Sequence, residues 1–399
     1  MARTRKALPE NIDVAHLIST GVLASVCPWA LIDEVLAQTG KASQRERLLP
    51  APAVVYYVMA LALWRKAPLE EVLRVVCEGL QWLSGGQAGA VQASQSAISQ
   101  ARTRLGPEVM KQLADRVLLP MARPEAPGAW YRGWRLMAVD GSCMDVADEA
   151  ANAEFFGYPA ASRGQSAFPQ ARVLGLVECG THAVVAASIA PYGFSEVAMA
   201  RQLLPAKLTG DMLVMADRNF YSFKLWQAAC ASGAKLLWRV KSNLGLPVEQ
   251  RFADGSYSST VFDSEDRARR HGQRVRVIDY TLKGSAAPVQ SRYRLVTNIL
   301  DPEAAPALEL AALYHERWEI ESVFDEFKTH MRSTSTVLRS KTPALVEQEL
   351  WGLLLAHYAV RQLMEHAAWQ QDVDPDRLSF VHALRVIKRK MPQAAAIPP

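Results

Sequence analysis

The chain lacks any apolar run long enough to cross a bilayer. Its longest strongly apolar stretches, residues 53–64 and 350–356, fall well short of the roughly 20 residues that a spanning helix needs, which excludes a helical membrane protein. The basic start MARTRKALPE is followed by no apolar stretch and no small-residue cleavage site, so it does not read as a secretory signal and the chain is expected in the cytoplasm. Cysteine is scarce: Cys27, Cys77, Cys143, Cys179 and Cys230 are five, an odd number, widely spread and without a C-x-x-C pair. That argues against a disulfide framework and a structural zinc site and leaves them as reduced core residues. The eight histidines show no H-x-x-x-H spacing. Charge of neither sign dominates. Lys+Arg 45 against Asp+Glu 40 gives +5, an excess that suits a polyanionic partner without requiring one.

What is present is the composition of a folded chain, 50% hydrophobic and 21% charged over 399 residues. That length exceeds what one hydrophobic core usually serves and predicts two or three domains. Apolar residues at three and four spacing from 14 to 117, punctuated by Pro50, Pro52, Pro68 and the loop at 84–89, predict an all-helical N-terminal domain over residues 1–120. Within it, Ser94 reads as an N-cap of a short helix carrying Gln95, Ser96, Ser99, Gln100 and Arg102. Few apolar anchors and many polar side chains suit a helix that meets DNA, and equally a solvated surface helix with Ile98 and Leu105 inward. A Pro- and Gly-rich linker follows at 121–133.

The pattern then changes. A short apolar run ending at Asp140, a hairpin around a Gly-Thr turn, a helix, a run ending at Asp217, another helix and the strand KLLWRVKS read as a mixed α/β sheet. We assign 134–242 and 292–370 to this core. Residues 243–291 read as an inserted β-rich subdomain, with Tyr293 opening the returning strand, and 371–399 as a C-terminal basic tail, frayed past Lys388. Two clusters of cations, Arg267, Arg269, Arg270, Arg274 and Arg276 in the insertion and Arg385, Lys388, Arg389 and Lys390 near the end, fit either a DNA backbone or a solvated face.

Two acids close apolar strands, where an α/β sheet presents functional side chains. Either alone is equally a turn residue or a cap. A third element is the segment ALYHERWEIESVFDEFKTHMR. At about 100° per residue, Tyr314, Arg317, Glu321 and Lys328 share a stripe about 60° wide. Arg317 and Glu321 alone would make a surface ion pair; Asp325, close to the same stripe, is the rival acid, with Glu316 and Glu319 further round.

The spacing Tyr314, Arg317, Glu321, Lys328 resembles the Y-R-E-K signature of bacterial insertion-sequence transposases of the insertion-sequence-4 type, within the DDE superfamily. The segments AVDGSCMDVAD, ANAEFFGYP, VECGTHAVV, MADRNFYSF and LPAPAVVYYVMALALW look like the same family, so the resemblance covers nearly the whole chain. Asn219 departs from the Gly that many relatives carry after Asp-Arg, a turn position that Asn fills readily.

The resemblance implies a ribonuclease H-like catalytic core interrupted by the β-rich insertion, and cut-and-paste transposition using two Mg²⁺ ions, for which Mn²⁺ can substitute. It implies Asp140 shared between the ions, with Asp217 and Glu321 completing one site each. Water would make the first nick and 3′-hydroxyls the later attacks. Arg317 and Tyr314 would grip phosphates, Lys328 a neighbouring one, and Tyr293 would stack on a flipped base where a hairpin forms. Gln95, Ser96, Gln100 and Arg102 would meet double-stranded DNA. The partners implied are terminal inverted repeats, target DNA and a second protomer, in the bacterial nucleoid. The chemistry is coherent on its own terms: two cations roughly 4 Å apart activate an attacking oxygen and stabilise a leaving one, and carboxylates suit a hard, oxygen-seeking ion. A catalytically silent DNA-binding copy and a structure-selective nuclease are the alternatives.

Overall fold

The computed structural model describes residues 19–43, 49–83, 93–161, 164–281, 292–331 and 337–389. The loop at 84–89, the end of the insertion at 282–291 and the tail from Lys390 lie outside the described residues. Six helices come first: α1 (Ser19–Val26), α2 (Trp29–Gln38), α3 (Ala51–Leu63), α4 (Leu69–Leu83), α5 (Gln95–Leu105) and α6 (Pro107–Val117). Proline falls where a helix start tolerates its missing N–H: Pro52 in the first turn of α3 and Pro107 at the head of α6. Ser94 caps α5, its Oγ accepting from the Ala97 amide at 3.3 Å.

The sheet is built from β1 (Trp130–Tyr131), β2 (Trp134–Asp145), β5 (Gln170–Glu178), β6 (Ala183–Pro191), β7 (Met212–Ala216), β8 (Lys235–Arg239), β9 (Gln250–Arg251), β10 (Tyr257–Val261), β11 (Gln273–Thr281) and β12 (Arg292–Thr297). Helices α7 (Ala150–Phe156), α8 (Glu196–Lys207) and α9 (Phe223–Ala231) and the small hairpin β3 (Ala160–Ala161) and β4 (Gly164–Gln165) join them. Strand order is β6-β5-β2-β7-β8-β12-β11-β10-β9, with β1 folded back on β2. Among the described strands of this sheet, the β2–β7 and β7–β8 ladders are parallel and the others antiparallel. The chain closes with α10 (Ala307–Leu313), a 3₁₀ turn (Tyr314–Trp318), α11 (Glu319–Asp325), a π turn (Glu326–Met331), α12 (Pro343–Gln370) and α13 (Phe380–Arg389). No helix among the described residues is long and apolar enough to cross a membrane.

Three features depart from the reading of the sequence. The strands of the insertion are not a separate body: β12 pairs with β8, Val296 opposite Trp238, and the same sheet runs on through β11, β10 and β9. The open edge of β8 needs hydrogen-bond partners, and the insertion supplies them. Residues 380–389 are a helix, α13, that buries Phe380, Ala383, Leu384 and Ile387, so part of the region read as a basic tail contributes to the core. Arg276, counted as part of a basic ribbon, is fully buried. It donates to the Asp254 carboxylate at 2.7 Å, the Ser256 hydroxyl at 2.8 Å and the Ala305 carbonyl at 2.8 Å.

The helical N-terminal region shares its core with the sheet. Helix α3 is apolar all round, as a helix enclosed on every side must be, and every residue from Pro52 to Leu63 is buried. One of its walls is α12, which also packs on α6 and β6. The two helices cross so closely at Gly352 that a Cβ there would stand 2.7 Å from Val58 Cγ1 and 2.8 Å from the Val58 carbonyl oxygen. Polar groups seal the same interface. Arg102 is buried, not turned to DNA; it donates to Gln348 Oε1 at 2.8 Å, Ser340 Oγ at 3.0 Å and the Leu345 carbonyl at 2.9 Å. Gln348 in return donates to the Arg102 and Gly106 carbonyls, both at 3.0 Å. The linker is itself tied down, with the Met121 and Ala122 amides donating to the buried Glu178 carboxylate.

Arg102→Ala strands the acceptors on Gln348 and Leu345, at about 1–3 kcal/mol for each buried group left unsatisfied. It is expected to lower unfolding free energy by roughly 2–4 kcal/mol, measurable by urea denaturation. A fragment ending at Pro120 exposes the α12-facing side of α3 and is expected to show no cooperative melting transition by circular dichroism; a sharp transition would show that the first domain stands alone.

Candidate active site

The parallel register of β2 and β7 brings two acids together. Val139 lies opposite Ala216, so the next residue of each strand, Asp140 and Asp217, emerges at the same level. Asp140 does not end its strand. β2 continues to Asp145, paired on its other side with β5, Asp140 opposite Gly175, while β7 stops at Ala216. Asp217 is oriented by its own turn: Oδ1 accepts from the Arg218 amide at 2.6 Å and Oδ2 from the Asn219 amide side chain at 3.4 Å. Asn219, the departure from the family pattern, thus contacts the acid it follows.

The third acid arrives on a segment that is not one uniform helix. It passes from 3₁₀ geometry at Tyr314–Trp318 through α11 to a π turn at Glu326–Met331. Glu321, half exposed, lies on α11, and Arg317 connects it to the sheet. One guanidinium nitrogen of Arg317 is 3.5 Å from Asp140 Oδ2 and the other 3.8 Å from Glu321 Oε1. Tyr314 is buried, its hydroxyl donating to the Ala216 carbonyl at 3.3 Å. The expected phosphate-gripping tyrosine is therefore a fastener between the 3₁₀ turn and the end of β7. Lys328 is exposed on the π turn that follows α11, and its charge is felt at Cys143 of β2.

Burial pushes the Asp140 carboxyl up to about 6, against the opposing effects of a 2.8 Å hydrogen bond from the Gly141 amide and the Arg317 charge, with Glu196 and Asp217 adding to the rise. Glu196 was missed by the sequence reading. It begins α8 and lies across Gly141, where a Cβ would fall 2.6 Å from its Cδ. Arg172 of β5 holds it, Nη1 to Oε1 at 2.5 Å. The Ser-Glu start of α8 gives the cap, but no periodicity reveals that its carboxylate folds over the residue after Asp140.

Asp140 and Asp217 on neighbouring strands, with Glu321 reached through Arg317, offer carboxylate oxygens of the kind that suits a hard divalent cation. Arg317 lies between Asp140 and Glu321. Among the described residues, the group of three ligand-type side chains drawn within 4.8 Å of one another is instead His182, Glu319 and Asp376.

The other sequence candidates are placed as follows. Gln95, Ser96, Ser99 and Gln100 form the exposed face of α5, with Ile98, Ala101, Arg102 and Leu105 on its buried side. Tyr293 is half-buried, stacked on Tyr280 with ring centroids 5.2 Å apart; the Arg239 guanidinium lies 4.3 Å from its ring and His315 of the 3₁₀ turn 6.4 Å away.

The raised Asp140 value has a stability consequence. The unfolded carboxyl titrates near 3.8 and the folded one near 6, so the folded state holds the proton more tightly and stability falls as pH rises between those values, then levels off. Asp140→Asn removes this penalty. It is expected to stabilise the protein by roughly 2–3 kcal/mol at pH 8 and to change little at pH 4, read from melting curves at the two pH values without added metal.

Comparison with known proteins identifies the family. Residues 17–115 match the family model described as insertion element 4 transposase N-terminal, and residues 133–359 match the transposase DDE domain. The chain is 30% identical over 370 residues to the transposase InsG for insertion sequence element IS4 of Escherichia coli (strain K12), an alignment covering 90% of this chain and 80% of that protein. Among solved structures, the cryo-EM structure of the piggyBac transposase synaptic complex with hairpin DNA shares the fold, with a TM-score of 0.50 at 10% identity over 97% of this chain and 82% of that one. The chain belongs to the insertion element 4 family of DDE transposases.

Proposed function

We propose that this transposase excises and inserts its element by cut-and-paste chemistry at Asp140, Asp217 and Glu321. The observation that carries the reading is the side-by-side emergence of Asp140 and Asp217 from parallel neighbours, with Glu321 linked to them through Arg317. The run β6-β5-β2-β7-β8, antiparallel on one side of β2 and parallel on the other, supports a ribonuclease H-like core. Two Mg²⁺ ions, or Mn²⁺ in their place, would activate the attacking oxygen and stabilise the leaving one when bound. Asp140, Asp217 and Glu321 would hold them.

No side-chain nucleophile is required. Water serves for the first nick and 3′-hydroxyls for the later attacks. Arg317, already among the acids, faces the scissile phosphate, and exposed Lys328 meets a neighbouring one. The exposed face of α5, with Gln95, Ser96 and Gln100, reads double-stranded terminal repeats, and exposed Arg104 takes the place first given to Arg102. Synapsis of two element ends calls for a second protomer.

Alanine at Asp140, Asp217 or Glu321 is expected to reduce cleavage of labelled terminal DNA by at least the roughly 10²–10³-fold that loss of one transition-state stabilising group brings, with gel-shift binding retained. Asp325→Ala should leave cleavage intact. Strand-transfer products from a labelled 3′ end distinguish a transposase from a plain nuclease; nicking without them in the wild type would overturn the proposal. Tyr293→Ala should slow hairpin closure more than first-strand nicking, and equal rates for both would make Tyr293 structural.

A further inference from the structure

Behind the acidic segment runs a chain of buried polar groups that the proposed chemistry does not use. The Glu326 carboxylate accepts from Arg361 Nε at 3.1 Å and from Arg361 Nη2, and from His357 Nε2 at 2.8 Å. All three side chains are buried, and both partners belong to α12. Arg361 Nη2 also reaches His182 Nδ1 at 2.7 Å. The other ring nitrogen of His182 is 3.2 Å from Asp376 Oδ1 and 3.6 Å from Glu319 Oε2, and that Glu319 oxygen accepts from the Gly180 amide at 2.6 Å.

This network is a strut and not a second metal centre. A guanidinium only donates, so His182 Nδ1 must accept, and the hydrogen of the neutral ring sits on Nε2, which is the nitrogen facing the two carboxylates. A metal ion there would find an N–H where it needs a lone pair.

Placement along the helix gives the strut its purpose. Glu319 and Glu326 are seven residues apart and share one side of the segment, whereas Glu321 lies about 200° round from Glu319. The half-buried Glu319 and the buried Glu326 thus pin the segment on either side of the third acid, to the β5–β6 turn at one end and to α12 at the other. The π turn opens at Glu326 itself, where a widened turn often accompanies a functional site.

We propose that Glu326, clamped by Arg361 and His357, is a positioning residue that sets the angle at which Glu321 faces Asp140 and Asp217. Charge alone does not give that orientation. The planar fork of Arg361 fixes the carboxylate in one plane while reaching His182 with the same nitrogen, and a lysine could not do both. The inference rests on Glu321 being a metal ligand, and its test reads metal directly.

Mn²⁺ affinity is measured by electron paramagnetic resonance on the full-length protein, with Glu321→Ala defining the part that depends on Glu321. Glu326→Gln is expected to weaken that part roughly 10–100-fold, the usual effect of losing a partner behind a metal ligand, and to raise half-saturating Mn²⁺ in DNA cleavage in step. Terminal-DNA affinity should stay within about twofold, because neither Glu326 nor Arg361 is on a DNA-facing surface. Arg361→Lys keeps the buried pair charged and folded and should show the same metal defect. Leu350→Ala, a core truncation on α12, controls for stability and should melt earlier with Mn²⁺ affinity unchanged. Wild-type Mn²⁺ affinity in folded Glu326→Gln and Arg361→Lys would overturn the inference, as would an equal defect in Leu350→Ala. A wild-type protein that binds Mn²⁺ through Glu321 but does not cut terminal DNA would overturn the proposed function instead, so the two fail separately.

Discussion

The register between β2 and β7 is the constraint on which the rest depends. Side chains alternate along a strand, so a slip of one residue would send either acid to the opposite face of the sheet. The buried runs Leu136 to Val139 and Leu213 to Ala216 fix that register through packing on both faces, as expected for parallel strands. The 3₁₀ turn fastened at Ala216, the bridging Arg317 and the pinned acidic helix are all built against that strand pair.

Concentrating carboxylates at one place raises an electrostatic problem that the fold meets with internal cations. Arg317 stands among Asp140 and Glu321, Arg172 holds Glu196, and Arg361 holds Glu326. The outcomes differ. Burial raises Asp140 to about 6, whereas at Glu326 the Arg361 charge and the His357 hydrogen bond outweigh burial and hold the carboxyl at about 2. An acid with a complete set of donors stays ionised inside the protein, and one with an incomplete set is left poised to accept a cation.

The acids themselves were legible in the sequence because each follows a short apolar run or lies on a helical stripe, and such patterns depend only on local periodicity. What failed was any inference from residue type to exposure. Arg102, Arg276 and Tyr314 have the chemistry of DNA contacts, yet each is buried because a distant segment supplies its partners: Gln348 for Arg102, Asp254 for Arg276, the Ala216 carbonyl for Tyr314. The change from 3₁₀ to α to π geometry was equally hidden, since a uniform angle per residue averages over it. The insertion read correctly as β-rich but not as a continuation of the main sheet, because strand pairing across about fifty residues leaves no mark on either segment.

That continuation carries a consequence of its own. Because new strands are added beyond β8, on the side away from β2, the sheet can lengthen or shorten at its outer margin without disturbing the ladder that sets the acids. The last strand, β9, is two exposed residues long, too short to template pairing with another molecule. Variation at that margin and preservation of the strand pair that carries the acids are thus mechanically separable.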